Sequence, residues 1–302
     1  MTLRPLTRRE FVGRTAAAAA AAAFVDTALN PMVAMKVPEP PFKISLAQWS
    51  FHKALQAKQL DHLDFARTAR EFDIAAIEYV NTFFKDKATD AAYLKEMNRR
   101  ARDHGVFQHL IMCDGEGRLG DPDPTAREQA VQNHHKWADA AKTLGCLTIR
   151  VNLDSEGPLD EQQKLCADGL RELTEYGASL DLNVIVENHG GPSSHGDWLV
   201  GVMTLVAHPR CGTLPDFGNF DDYDRYRGVA EMMPYAKAVS AKSYDFDERG
   251  DETKLDYRRL MKIVTGAGYH SWMGIEYEGD RLSEREGVAK TKALLLRIMA
   301  EP

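Results

Sequence analysis

Eight times between residues 44 and 277 a short apolar run is followed by a stretch of helical periodicity, and this recurrence restricts the fold more than any other feature of the chain. The runs are 44–47, 75–79, 107–112, 147–152, 183–187, 211–216, 236–242 and 272–277. Their starts lie about 25 to 40 residues apart, the spacing of a strand, a helix and two loops. Between them, 63–72, 91–104, 125–144, 160–180 and 283–299 carry the pattern of amphipathic helices. Eight βα units in 302 residues predict a single-domain (β/α)8 barrel over 36–302. A doubly wound open sheet is the alternative, but no G-x-G-x-x-G follows the first strand, where a dinucleotide fold would carry it. In the fifth run, Val184-Ile185-Val186 is unbroken β-branched sequence, as expected of a strand covered on both faces. Such a strand has no structural need for Glu187 at its end. An unpaired carboxylate in a dry interior costs several kcal/mol or takes up a proton, so Glu187 points to a cation, a substrate or a basic partner.

The N-terminus reads differently from the body. Thr7-Arg8-Arg9-Glu10-Phe11-Val12 precedes an alanine run over 16–23, the arrangement of a twin-arginine (Tat) signal, here assigned to residues 1–35. This predicts export of the folded protein by the Tat translocase to the periplasm, with no membrane span in the mature chain. The net charge of −7 becomes more negative without this segment, because Arg4, Arg8, Arg9 and Arg14 outnumber Glu10 and Asp26. An acidic body argues against nucleic acid as a partner. Homo-oligomerisation is left open by the sequence. Cys113, Cys146, Cys166 and Cys211 lack metal-type pair spacing and are expected as buried thiols.

If the chain forms a barrel, its active site belongs at the C-terminal ends of the strands. Polar residues collect there: Glu78 on strand two, Glu187 and His189 on strand five, Asp216 and then Asn219 on strand six, Ser240 and Lys242 on strand seven, and Glu276 and Glu278 on strand eight. Side chains alternate along a strand, so 187 with 189, 240 with 242 and 276 with 278 are expected to share a face. Several acids converging on one mouth repel each other unless they are protonated or bridged by a cation. Oxygen-rich ligation favours Mn²⁺ or Mg²⁺, while an added imidazole admits Zn²⁺ or Co²⁺. Trp49, within Gln48-Trp49-Ser50-Phe51-His52, offers a ring on which a sugar stacks, with His52 as a polar tip. His109, His134 and His135 are expected as satisfied or exposed histidines. The acidic loop 245–252 is expected to be solvated and mobile over the site, with Asp245 in reach of it.

The strand-five I-V-E-N-H, the strand-six L-P-D-F-G-N and the strand-eight G-I-E-Y-E-G together resemble the sugar phosphate isomerase/epimerase family of xylose isomerase-like TIM barrels, over residues 43–300. The resemblance implies a divalent metal held by Glu187, Asp216, Ser240 and Glu276. It further implies Glu187 and Glu276 as acid/base groups. Lys242 and His189 are expected to assist them, and Trp49, His52, Glu78, Asn219 and Glu278 to face the sugar. Two positions depart from the family pattern. Val239-Ser240-Ala241-Lys242-Ser243 carries serine where V-H-x-K-D has histidine, and Asp216-Phe217-Gly218-Asn219 ends in asparagine where D-x-x-H is common. His189, a water held by Ser240, or Lys242 with a lowered pKa are the candidates for the vacant role. The implied activity is isomerisation or epimerisation of a free sugar, keto-sugar or glycoside, or a lyase reaction by β-elimination. A non-catalytic sugar-binding barrel is the reading from another class. An endonuclease IV-like nuclease shares the barrel, but the missing histidines and acidic body oppose it.

Overall fold

The computed structural model describes residues 41–301, so the expected export signal lies outside the described residues. Eight parallel strands form one sheet: β1 (Lys43–Ala47), β2 (Ala76–Val80), β3 (Phe107–Cys113), β4 (Thr148–Val151), β5 (Asn183–Glu187), β6 (Cys211–Leu214), β7 (Val239–Ser243) and β8 (Trp272–Tyr277). The strands run in the order β6-β5-β4-β3-β2-β1-β8-β7, and isolated parallel bridges, Thr213 to Ala236 and Asp216 to Ser240, close β6 onto β7. This is the (β/α)8 barrel that the sequence predicts. The principal helices after the strands are α1 (Phe65–Glu71), α2 (Ala91–Asp103), α3 (Pro124–Leu144), α4 (Leu159–Ser179), α5 (Gly196–Val206), α6 (Arg225–Met232), α7 (Tyr257–Gly266) and α8 (Glu284–Met299). Side-chain caps start several of them. Asp123 accepts from two amides at the head of α3, and Ser283 with Glu286 forms a capping box on α8.

Strand alternation divides the core in two. Val184 and Val186 of β5 pack outward against the helices with Ile77, Ile149, Val239 and Ile275. Ile185 turns inward with Ala47, Val80, Leu110, Met112, Leu214 and Ala238 to fill the barrel. Glu187, two residues after Ile185, continues the inward row at the C-terminal end. Strand six is shorter than expected: it stops at Leu214 because Pro215 has no N–H for the ladder. Strand seven begins only at Val239, since Met233–Tyr235 forms a 3₁₀ turn ahead of it. All four cysteines are buried and unpaired.

Below the mouth, the loop after β1 is tied to β2 through a buried amide. Gln48 accepts from the backbone of Val80 at 3.0 Å and donates to Nδ1 of His62 at 2.8 Å. His62 lies among Tyr79, Phe84 and Tyr93, and burial pushes its pKa down to about 3. Its imidazole is therefore neutral in the folded chain. Between about pH 6.5 and pH 3 the unfolded chain takes up a proton at His62 that the folded chain refuses, so stability present at neutral pH is lost as pH falls through that window. Denaturant unfolding at stepped pH should show this loss, on the order of a few kcal/mol, and His62→Gln should flatten it relative to the native chain. Parallel pH curves for the two proteins would contradict this role for His62.

Candidate active site at the barrel mouth

Four strand ends supply the site, and the loop between β6 and α6 is the best anchored. Asn188, directly after β5, accepts from the Asp216 amide at 2.7 Å and donates to the carbonyls of Asp216 at 3.1 Å and Asn219 at 3.2 Å. These bonds stand in for the ladder hydrogen bond that Pro215 cannot donate. Asp216 then folds its Oδ1 back onto the amides of Gly218 (2.7 Å) and Asn219 (2.8 Å), which leaves Oδ2 buried without a hydrogen bond. Gly218 is required here, because a Cβ would overlap the Lys242 stem and the Tyr244 hydroxyl.

Glu187 is fully buried, and its Oε1 accepts from the Asn219 side chain at 3.1 Å. Its Oε2 lies 2.8 Å from Nε of Arg150, yet the N–H is not aligned on it and neither atom is hydrogen-bonded. On the far side, Lys242 places its ammonium 2.6 Å from Glu276, 3.1 Å from Glu278 and 3.7 Å from Asp216. Ser240 Oγ donates to the other oxygen of Glu276 at 3.3 Å. Ligand atoms of Glu187, Asp216 and Glu276 all lie within 4.8 Å of one another.

The electrostatics follow from this crowding. Burial, opposed by Arg150 and reinforced by Glu276 and Asp216, pushes Glu187 up to about 8. Burial against the pull of Lys242 raises Asp216 to about 6. Glu276 goes the other way: its burial is overcome by the ammonium bonded to it, and its pKa is lowered. The free oxygens of Glu187 and Asp216, both buried and both facing the cluster, fit a hard divalent cation, which all three carboxylates would hold.

Several expected site residues stand elsewhere or act differently. His189 lies two residues past the end of β5, on the rim, within electrostatic reach of Arg150, Asp114, Lys242 and Glu276. Glu78 is not at the mouth. Strand β2 runs on to Val80, and the Glu78 carboxylate lies inside the barrel against Gly274, two residues short of Glu276, bonded to Ser45 at 2.6 Å and 3.4 Å from His109. A bulge in the β2–β3 pairing leaves His109 without a partner opposite β2 and turns it toward Glu78. A base of lowered pKa at Lys242 is also overturned. Although burial disfavours the charge, Asp216, Glu276 and Glu278 raise the pKa well above the ordinary lysine value. Asp245 pairs with Arg281, and Glu252 staples its loop through the amides of Tyr244, Asp245 and Lys254.

The aromatic rim is present. Trp49 stacks on His52, with centroids 4.9 Å apart, and its indole N–H donates to Glu278. His52 is fixed by a 2.8 Å bond to the Trp49 carbonyl. Asn219 commits its amide to Glu187. Sequence reasoning passes over Arg150, although Thr148-Ile149-Arg150-Val151 puts a charge inside a buried strand just as Glu187 does. It also passes over Asp114 and the latch made by Asn188.

The profile of the Xylose isomerase-like TIM barrel family matches residues 66–299. The chain belongs to that family. Among solved structures it is similar to a family member from Mycobacterium smegmatis in complex with magnesium, at 16% identity over 85% of this chain and 96% of that chain, with a TM-score of 0.64. It is likewise similar to 3-keto-D-glucoside 4-epimerase from E. coli, at 15% identity over 85% of this chain and 99% of that chain, with a TM-score of 0.67. At such identities the likeness is one of fold. The C-glycoside deglycosidase alpha subunit of Arthrobacter globiformis is 33% identical over 54 residues, 18% of this chain and only 15% of that relative.

Lys242 neutralises part of the acidic cluster. Removing it by Lys242→Met leaves buried acids without their cation, which should cost about 3 kcal/mol in denaturant unfolding with chelator present. Added Mn²⁺ should then recover more stability in the variant than in the native chain. Equal recovery in both would show that the ammonium and the metal do not serve the same carboxylates.

Proposed function

We propose that this family member is a periplasmic isomerase or epimerase that moves a proton next to the carbonyl of a free sugar, keto-sugar or glycoside, with a divalent metal assisting. One observation carries the reading: Glu187 and Glu276 flank a single point in a buried mouth, and burial lifts Glu187 into the neutral range where a general base works. Enzymes place acid and base roles on such pairs. Mn²⁺ or Mg²⁺ bound by Glu187, Asp216 and Glu276 would stabilise the negative charge that develops on the sugar oxygen when the carbon-bound proton leaves. Zn²⁺ and Co²⁺ suit the site less, because no imidazole joins the three acids.

The residues divide the work as follows. Glu187, through the Oε2 that makes no hydrogen bond, takes the proton from the carbon beside the carbonyl, and the electron pair of that bond passes into the enediolate. Lys242 and Ser240 hold Glu276 on the other side, where it passes on a proton drawn from the Lys242 ammonium 2.6 Å away. Delivery to the same carbon from the opposite face gives the epimer, and delivery to its neighbour gives the isomer. Trp49 and His52 form the rim on which the sugar ring lies. Export by the Tat translocase would present the site with unphosphorylated sugars, which fits a mouth whose buried cations, Lys242 and Arg150, are already engaged by carboxylates.

A second reading, β-elimination from an oxidised glycoside, is favoured by the short match to the C-glycoside deglycosidase subunit. It begins with the same proton abstraction and differs in what leaves the neighbouring carbon. Incubation of the Mn²⁺-loaded protein in D₂O with free sugars, keto-sugars and 3-keto-glycosides, followed by NMR, separates the readings. Deuterium at the carbon next to the carbonyl, diminished by at least about 100-fold in Glu187→Gln, is expected. A freed aglycone would establish elimination, and no exchange in any substrate would leave sugar binding without catalysis.

A further inference from the structure

Arg150 and Asp114 lie outside the three acids, on the side of β3 and β4. Asp114 directly follows β3. Its backbone is pinned by Asn81, whose side chain accepts from the Asp114 amide and donates to the Asp114 carbonyl, both at 2.9 Å. The fixed carboxylate then accepts from Nη1 of Arg150 at 2.6 Å and from the Asn152 side chain at 2.8 Å, and Asn152 in turn accepts from the same Nη1 at 3.0 Å. Arg150 is almost completely buried, so its guanidinium has one orientation to offer. In that orientation its charge stands 2.8 Å from Glu187 Oε2, with the Nε–H aimed past the oxygen.

Resting on the proposed proton transfer, we infer that Arg150, drawn back by Asp114, is a positioning residue that attracts Glu187 without tying up its Oε2. A guanidinium free to turn would normally close on a carboxylate through two parallel hydrogen bonds. Here the Asp114 strut prevents that closure. Asn219 holds Oε1, the neighbouring positive charge keeps the carboxylate in place, and Oε2 keeps an open lone pair for the substrate proton or the metal. The chain thus builds the direction of its base from β2, β3 and β4, on the side of the barrel opposite Lys242.

Three variants test this. In Arg150→Met the loss of positive charge beside the acids should tighten Mn²⁺ binding by about tenfold in calorimetry, while deuterium exchange slows by about 100-fold in kcat with KM little changed. In Arg150→Lys the charge returns without the fork, so Mn²⁺ affinity should come back to the native value and kcat should not. Asp114→Asn keeps the shape but frees the guanidinium, and its crystal structure should show Arg150 hydrogen-bonded to Glu187 Oε2. An Arg150→Met protein that loses metal affinity and rate together, an Arg150→Lys protein with native kcat, or an Asp114→Asn structure with Arg150 unmoved would each overturn the inference. The crystal structure and the metal affinities need no turnover, so absence of exchange in the native protein would count against the proposed function and leave this inference to be judged on them.

Discussion

Everything at the mouth of this barrel answers to one constraint, the repulsion among Glu187, Asp216 and Glu276. Unit charges about 5 Å apart at an effective dielectric of about 20 repel by roughly 3 kcal/mol per pair, so three ionised acids together would oppose folding by an amount comparable to the whole stability of a domain. The chain meets this with two buried cations on opposite sides, Lys242 against Glu276 and Asp216, and Arg150 against Glu187. It also leaves Glu187 and Asp216 easier to protonate than ordinary carboxylates. The remaining charge deficit is what a divalent cation would supply.

The barrel positions this cluster where its own ladder is weakest. β6 and β7 are joined by single bridges, because Pro215 ends β6 early and a 3₁₀ turn delays β7. Asn188 closes the β5–β6 side with three hydrogen bonds to the backbone, and the Ser240 backbone meets Pro215 and Phe217 across the β6–β7 seam. The same gap that interrupts the sheet lets Asp216 project its carboxylate into the mouth. Structural irregularity and chemistry coincide at one strand end, as they often do where a backbone must serve both.

The period of the sequence carries the architecture, since eight apolar runs at βα spacing leave few alternatives to a closed barrel, and strands five and eight begin and end where the runs do. Strand-end acids are legible for the same reason: an inward carboxylate in an apolar run needs a partner. What the pattern does not show is where each strand stops. Glu78 reads as a strand end, but β2 continues by one residue beyond the expected limit and puts it inside the barrel. The charge state of Lys242 depends on three acids from the ends of β6 and β8 meeting around it, which no local pattern records. Arg150 is visible as a charge in a buried strand, yet its meaning comes only with Asp114, 36 residues away. The expected twin-arginine segment lies outside the described residues.

On the proposed function, three buried carboxylates form one cation site whose glutamates then handle the substrate proton. Anomalous diffraction at the manganese edge, from crystals of the native chain equilibrated with Mn²⁺ at neutral pH, addresses it directly. A peak bonded to Glu187, Asp216 and Glu276 is expected, with Lys242 moved away from Asp216. No peak at the mouth, with Lys242 still between Asp216 and Glu276, would contradict it.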